Sequence, residues 1–207
     1  MVVGERVPTS RALRLLVILA MPVVGLLIGG STLAAQQAPA DAGTAQAKAA
    51  LAKYQDPIAA VHDGYFSTVG CIEFPTGAGA PGQMMYKPGG MGVHFLNTAM
   101  IGPVLDPAHP QVLIYEPNGD KLQLVAAEWF APVMPGMKEP PKIFGRALEG
   151  PMEGHAPIMP AEMHHWDLHV WLWKNNPNGM FSPTNPDVKC PKSAYSFAGD
   201  PPKMVAP

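Results

Sequence analysis

Two alternating apolar runs, residues 112–116 and 121–130, are separated by Pro117-Asn118-Gly119-Asp120, and this arrangement constrains the fold more than any other feature of the chain. Asn-Gly readily adopts the positive φ values of a tight hairpin turn, so the two runs read as paired antiparallel strands. Strict alternation places Leu122, Leu124, Ala126 and Glu128 on one face of the second strand, ending an apolar row in a carboxylate. A charge buried there needs a partner, unless the strand end twists out into water.

A second stretch, residues 163–173, holds three of the seven histidines and three of the four tryptophans. With a period of two, Trp166, Leu168, Val170 and Leu172 fall on one face, and His165, Asp167, His169, Trp171 and Trp173 on the other. The alternative is a helix over 160–175, opened by Pro160 and stopped by Asn176-Pro177. The density of aromatic and β-branched residues favours the strand.

Around these strands the chain reads as follows. Asp56 can cap and Pro57 can open a helix over 56–70, with Ile58, Val61, His62, Tyr65, Phe66 and Val69 as its apolar stripe and Cys71 at its end. Residues 75–88 read as loop, and Gly89-Gly90-Met91-Gly92 precede a strand over 93–97. Glycines at such an entry let a backbone turn sharply or approach a bound group, which draws attention to His94. Residues 131–160 are rich in proline and carry no period, as expected of a long surface excursion. The expectation is an α+β domain: an antiparallel sheet, barrel-like if it closes, with one packed N-terminal helix.

The N-terminus has the form of an export signal. Arg6, Arg11 and Arg14 precede an apolar run over 15–28, and small residues follow at Thr32, Ala34 and Ala35. The run is shorter than the roughly 20 residues that usually span a bilayer, so no stable membrane span is expected after cleavage. The domain division is a signal peptide over 1–35, a small-residue tether over 36–53, one domain over 54–191 and a flexible tail over 192–207. Removing the leader moves the formal charge from −2 to about −4 and leaves no basic run, which argues against nucleic acid as a partner. A periplasmic or secreted location permits disulfides, and Cys71 and Cys190, the only two cysteines, are expected to pair.

Four blocks, GGMGVHF around His94, LIYEP at 113–117, VAAEW at 125–129 and DLHVWLWKNNPNGMF at 167–181, together resemble an uncharacterised family of exported bacterial proteins. The resemblance spans about residues 54–190 and implies export and a single shared domain; it brings no reaction, cofactor or catalytic residue with it.

His94, Glu128, His155, His164, His165, Asp167 and His169 are the side chains from which a first-row divalent metal site is made, with Zn, Fe or Cu as the ion. On a strand His165 and His169 stand about 13 Å apart, too far to share one ion, whereas Asp167 and His169 are about 6.6 Å apart on one face. The candidate metal set is therefore His94, Glu128 and His169, with Asp167 or His165 beside them. Two histidines and a carboxylate with open positions suit a small metal-dependent enzyme of hydrolase or oxygenase type acting on a small molecule. Met152, His155, Met159, Met163, His164 and His165 suggest instead a copper-binding protein, because thioethers and imidazoles favour Cu(I). A metal-free pocket lined by Trp129, Trp171 and Trp173 is a third reading, and a mixed boundary layer of satisfied histidines a fourth. No serine lies in a nucleophile elbow and no glycine-rich phosphate loop follows a strand, so covalent hydrolases and nucleotide enzymes are excluded.

Overall fold

In this computed structural model the described residues are 42–67, 70–193 and 195–206, together with Met1 and Gly4. The expected signal peptide and the first part of the tether lie outside them. In chain order the elements are α1 (Ala42–Ala50), a 3-10 turn (Ala52–Gln55), α2 (Pro57–His62), β1 (Cys71–Phe74), β2 (Gly89–Leu96), a 3-10 turn (Thr98–Met100), β3 (Val112–Asn118), β4 (Lys121–Pro132), β5 (Lys142–Ile143), β6 (Arg146–Ala147), β7 (Glu149–Met152), β8 (His165–Val170) and β9 (Ser196–Ala198). Seven strands form one sheet in the order β7-β8-β4-β3-β2-β1-β9, curled into a half-barrel, and β5 and β6 pair apart from it. The α+β class is as the sequence indicates. The sheet is mixed rather than purely antiparallel, because β9 runs parallel to β1.

The β3–β4 hairpin closes through Gly119-Asp120, with Asn118 opposite Lys121. Its register slips between Ile114, opposite Ala126, and Tyr115, opposite Leu124, so that Val125 is an extra residue on β4. Such a bulge reverses the alternation beyond it. Leu122 and Leu124 consequently face the main core, whereas Ala126 and Glu128 face the other side, and the single apolar row read from alternation does not exist. The bulge is what carries Glu128 to the face where the histidines lie.

On one face of the sheet, Val93, Phe95, Leu113, Tyr115, Ala127, Trp129, Trp166, Leu168 and Val170 form the main core. The opposite face carries two smaller apolar clusters, one around Ile72, Phe74, Tyr86 and Met91, the other around Val112, Ile114, Ala126 and Trp171. The polar side chains of β8 lie on this opposite face.

The N-terminal helix is shorter than its apolar spacing suggests. Asp56 does cap it, its Oδ1 accepting from the Ile58 amide at 2.9 Å, but the helix ends at His62. Ile58 and Val61 are 62% and 52% exposed, so their stripe does not pack on the sheet. The lid on the core comes from the stretch expected to be a tether: α1 and the turn after it bury Ala47, Leu51 and Tyr54. The Tyr115 hydroxyl fastens that turn by donating to the Tyr54 carbonyl at 2.8 Å. The expected tail is also ordered into the fold, since β9 extends the sheet and Met204 bridges to Met152. Cys71 opens β1 instead of ending a helix, and it is bonded to Cys190 with a Cα–Cα distance of 5.4 Å.

The glycines of β2 serve the backbone rather than a ligand. Gly90 exchanges both backbone hydrogen bonds with Asn185, and a Cβ there would lie 2.7 Å from the Val188 carbonyl oxygen. Gly92 has φ +92°, and a Cβ on it would come within 2.6 Å of the Tyr115 carbonyl oxygen. Gly92→Ala should therefore cost about 1–3 kcal/mol, read as a lower urea midpoint, and an unchanged midpoint would remove this account of the strand. Reducing the Cys71–Cys190 bond, which joins positions 119 residues apart, should cost up to about 4–5 kcal/mol by freeing a long loop in the unfolded chain.

Candidate metal centre

β8 is the base of the site, and its alternation is the one the sequence shows. Trp166, Leu168 and Val170 enter the main core, and His165, Asp167 and His169 project to the opposite face, all three buried. Glu128 on β4 stands directly opposite His169 in the register. His94 lies on β2, two strands from Glu128, and the curl of the sheet brings it to the same point. The His94 Nε2 is 3.4 Å and the His169 Nε2 3.5 Å from Glu128 Oε2. The three side chains are at most 4% exposed.

These separations are informative. They exceed a good hydrogen bond, and the His169 Nε2 has no hydrogen-bond partner although it is buried. Two ligand atoms held tetrahedrally at about 2.1 Å from one ion lie roughly 3.4 Å apart, which is the spacing found. The expected set of His94, Glu128 and His169 is thus assembled with ligand atoms within 4.8 Å of one another.

Asp167 and His165 stand beside this group and belong with a third residue, His155. Asp167 Oδ1 is 3.8 Å from His169 Nδ1, and its Oδ2 is 3.7 Å from His165 Nε2. His155, from the loop after β7, packs its ring edge-on to that of His165 with centroids 5.3 Å apart. His155, His165 and Asp167 also bring ligand atoms within 4.8 Å of one another. His155 was visible in the histidine inventory, but nothing in its proline-rich surroundings marked it as buried or returned it to β8. His164, the residue immediately before β8, is exposed.

Burial dominates the electrostatics. It pushes Glu128 well above the usual carboxylate range, helped by the charge of Asp167, and lowers His94 to about 3. Both shifts disfavour the charged forms, and so oppose an ion pair between them. His169 is lowered by burial, against the pull of Asp167, and His155 falls to about 4 through burial and the neighbouring His165. For Asp167 burial acts upward, but its contact with His165 and the surrounding imidazoles prevail and hold it below the ordinary range. Glu149, opposite Asp167 on β7, is raised to about 7 by burial and by the Asp167 charge.

A cavity of about 160 Å3 opens over His94 and Glu128. Phe130 and His155 also line it, and apart from Thr98 its remaining wall is apolar, with Leu96, Val112, Ile158, Met159 and the part-exposed Phe66 and Met163 among its residues. Trp129, Trp171 and Trp173, expected around a pocket, are dispersed. The Trp129 indole lies in the main core and donates to the Asp106 carbonyl at 2.8 Å. Trp171 sits in the cluster on the other face and donates to the Ser182 carbonyl, while Trp173 packs at the edge of the main core. None of the three lines this cavity. The aromatic lining comes from Phe130 and Phe66 instead. Of the methionine and histidine set, His155, Met159 and Met163 reach the cavity, whereas the Met152 sulfur accepts from the Tyr86 hydroxyl within a separate cluster.

The arrangement could hold a metal ion through two imidazoles and one carboxylate, and the cavity lies against two of the three, His94 and Glu128. No family model matches this chain, and neither a curated protein nor a solved structure matches it.

The histidines give the metal-free protein a defined response to acid. Native His94 and His155 stay neutral down to about pH 3 and 4, whereas their unfolded counterparts protonate near 6.5. Below 6.5 the unfolded chain binds more protons, so stability falls with pH by about 1.4 kcal/mol per unit for each such group. Glu128 and Glu149 act oppositely, because their native forms hold on to a proton that the unfolded chain gives up above about 4.5. His169, lowered by burial, adds to His94 and His155, and three imidazoles outweigh two carboxyls, so chelator-treated protein should melt at progressively lower temperature from pH 6.5 to 4.5. A flat or rising melting temperature across that window would contradict the burial of these groups.

Proposed function

We propose that this is an exported metalloenzyme that binds one divalent first-row ion through His94, Glu128 and His169 and acts on a small, largely apolar molecule in the adjoining cavity. The observation that carries the reading is the convergence of two buried imidazole nitrogens on a carboxylate oxygen, at 3.4 and 3.5 Å, with His94 and Glu128 of the three lining a largely apolar cavity. Two histidines and one carboxylate leave coordination positions free, which suits hydrolysis with a metal-activated water or oxygenation at iron. Asp167 Oδ1 faces His169 Nδ1 at 3.8 Å, beyond hydrogen-bond distance, so its negative charge lies beside the imidazole on the side away from Nε2. Export accords with the disulfide, which forms and persists in oxidising compartments, and with the absence of any described helix long and apolar enough to cross a membrane. Three of the blocks that resemble the exported bacterial family build β2, β4 and β8, the strands that supply His94, Glu128 and His169, and membership of that family is part of the proposal.

Copper handling is the second reading, favoured by Met159 and Met163 lining the cavity beside His155. Elemental analysis of protein purified from the periplasm separates the two: zinc or iron supports the enzyme, and copper at stoichiometric level supports the binding protein. His94→Ala and Glu128→Gln should each lower bound zinc by one equivalent without changing the circular dichroism spectrum. Unchanged metal content in both variants would end the metalloenzyme reading.

A further inference from the structure

The geometry points to a second metal ion, held by His155, His165 and Asp167, which clips the loop after β7 onto the sheet. The inference stands on its own three residues and does not require the first site to be filled.

His155 Nδ1, His165 Nε2 and Asp167 Oδ2 are all buried, and none has a hydrogen-bond partner. Three side chains that each leave a buried polar atom unsatisfied, and that bring ligand atoms within 4.8 Å of one another, are far from what a packed interior tolerates. A purely structural His–Asp pair would close to hydrogen-bond distance. Here the His165 Nε2 and Asp167 Oδ2 stay 3.7 Å apart, close to the roughly 3.4 Å between neighbouring ligands of one tetrahedral ion. The free atom of His165 is also the correct one. Its Nδ1 lies 3.1 Å from the Met163 carbonyl, and since a carbonyl only accepts, Nδ1 carries the proton and Nε2 keeps its lone pair.

Two imidazole nitrogens and a carboxylate oxygen select zinc, iron or copper over magnesium or calcium, which prefer all-oxygen sites. Asp167 connects the two centres, with Oδ2 turned to this ion and Oδ1 to the imidazole of His169. His155 is the only member of the set that comes from a loop; the other two are on β8. An ion here would therefore tie residues 153–164, which carry Ile158, Met159 and Met163 of the cavity wall, to the strand beneath them.

The test is zinc binding by the chelator-treated full chain, followed by titration calorimetry and by zinc content after desalting. Wild type should take up two equivalents, His155→Ala one, His94→Ala one, and the double variant none. Because His155 lies in a loop, its removal should leave the melting curve of the zinc-free protein within a few degrees of wild type; His155→Gln, which keeps the volume, serves if alanine does not. A single wild-type equivalent that His94→Ala removes and His155→Ala does not would overturn the second ion and leave the proposed function standing. A single equivalent with the opposite dependence would keep this ion and overturn that function. Zinc should also slow amide exchange across 153–164 in wild type and in His94→Ala but not in His155→Ala, and equal exchange with and without zinc in wild type would overturn the clip.

Discussion

Two carboxylates withdrawn from water set the terms for one whole face of this sheet. Glu128 and Asp167 are buried within a cluster of four imidazoles, and no lysine or arginine makes an ion pair with either among the described residues. Taking a carboxylate out of water without a cation is costly; burial raises Glu128, favouring its uncharged form, and Asp167 is surrounded by histidines. Such a face contributes little to stability by itself. The main core on the other side of the sheet, with Trp129 and Trp166 fully buried, and the disulfide at its edge supply the rigidity that lets the polar face persist.

The division of labour between the two faces depends on single-residue irregularities. Were β4 to alternate regularly through Val125, Glu128 would point into the main core, Trp129 would point away from it, and Glu128 could not meet His169. The slip between β1 and β2, near Gly92, has the same character, setting the frame in which His94 faces the site and its neighbours Val93 and Phe95 face the core. A register shift of one residue exchanges the faces of a strand, so these bulges are as necessary to the site as the ligands are.

This explains what could be read from the sequence. β8 is regular, and the division of Trp166, Leu168 and Val170 from His165, Asp167 and His169 is legible by counting in twos. The β3–β4 hairpin is legible from its Asn-Gly turn. Its bulge is not, because no residue near Val125 signals an insertion and the expected apolar row looks better formed than the real one. The N-terminal helix fails for a related reason: Ile58 and Val61 keep helical spacing but the chain turns away after His62, and the small residues Thr44 and Ala47 do the packing that larger ones were expected to do. Glu128 is legible as a carboxylate closing an apolar row, His94 from the glycines that precede it, and His169 from the strand face it shares with Asp167. His155 was not placed with them, since its burial depends on a long loop folding back and periodicity is silent there.

The Cys71–Cys190 bond has a topological consequence. All six candidate ligands, from His94 to His169, lie in the stretch of chain between the two half-cystines. A protease that cuts any loop in this stretch leaves two pieces still joined by sulfur, with β1 on one side of the join and the whole of β8 on the other or still continuous with it. The oxidised molecule can therefore be nicked between His94 and His169 and keep every ligand on a single covalent assembly, whereas in a reduced chain the same cut leaves the ligands on two separate polypeptides.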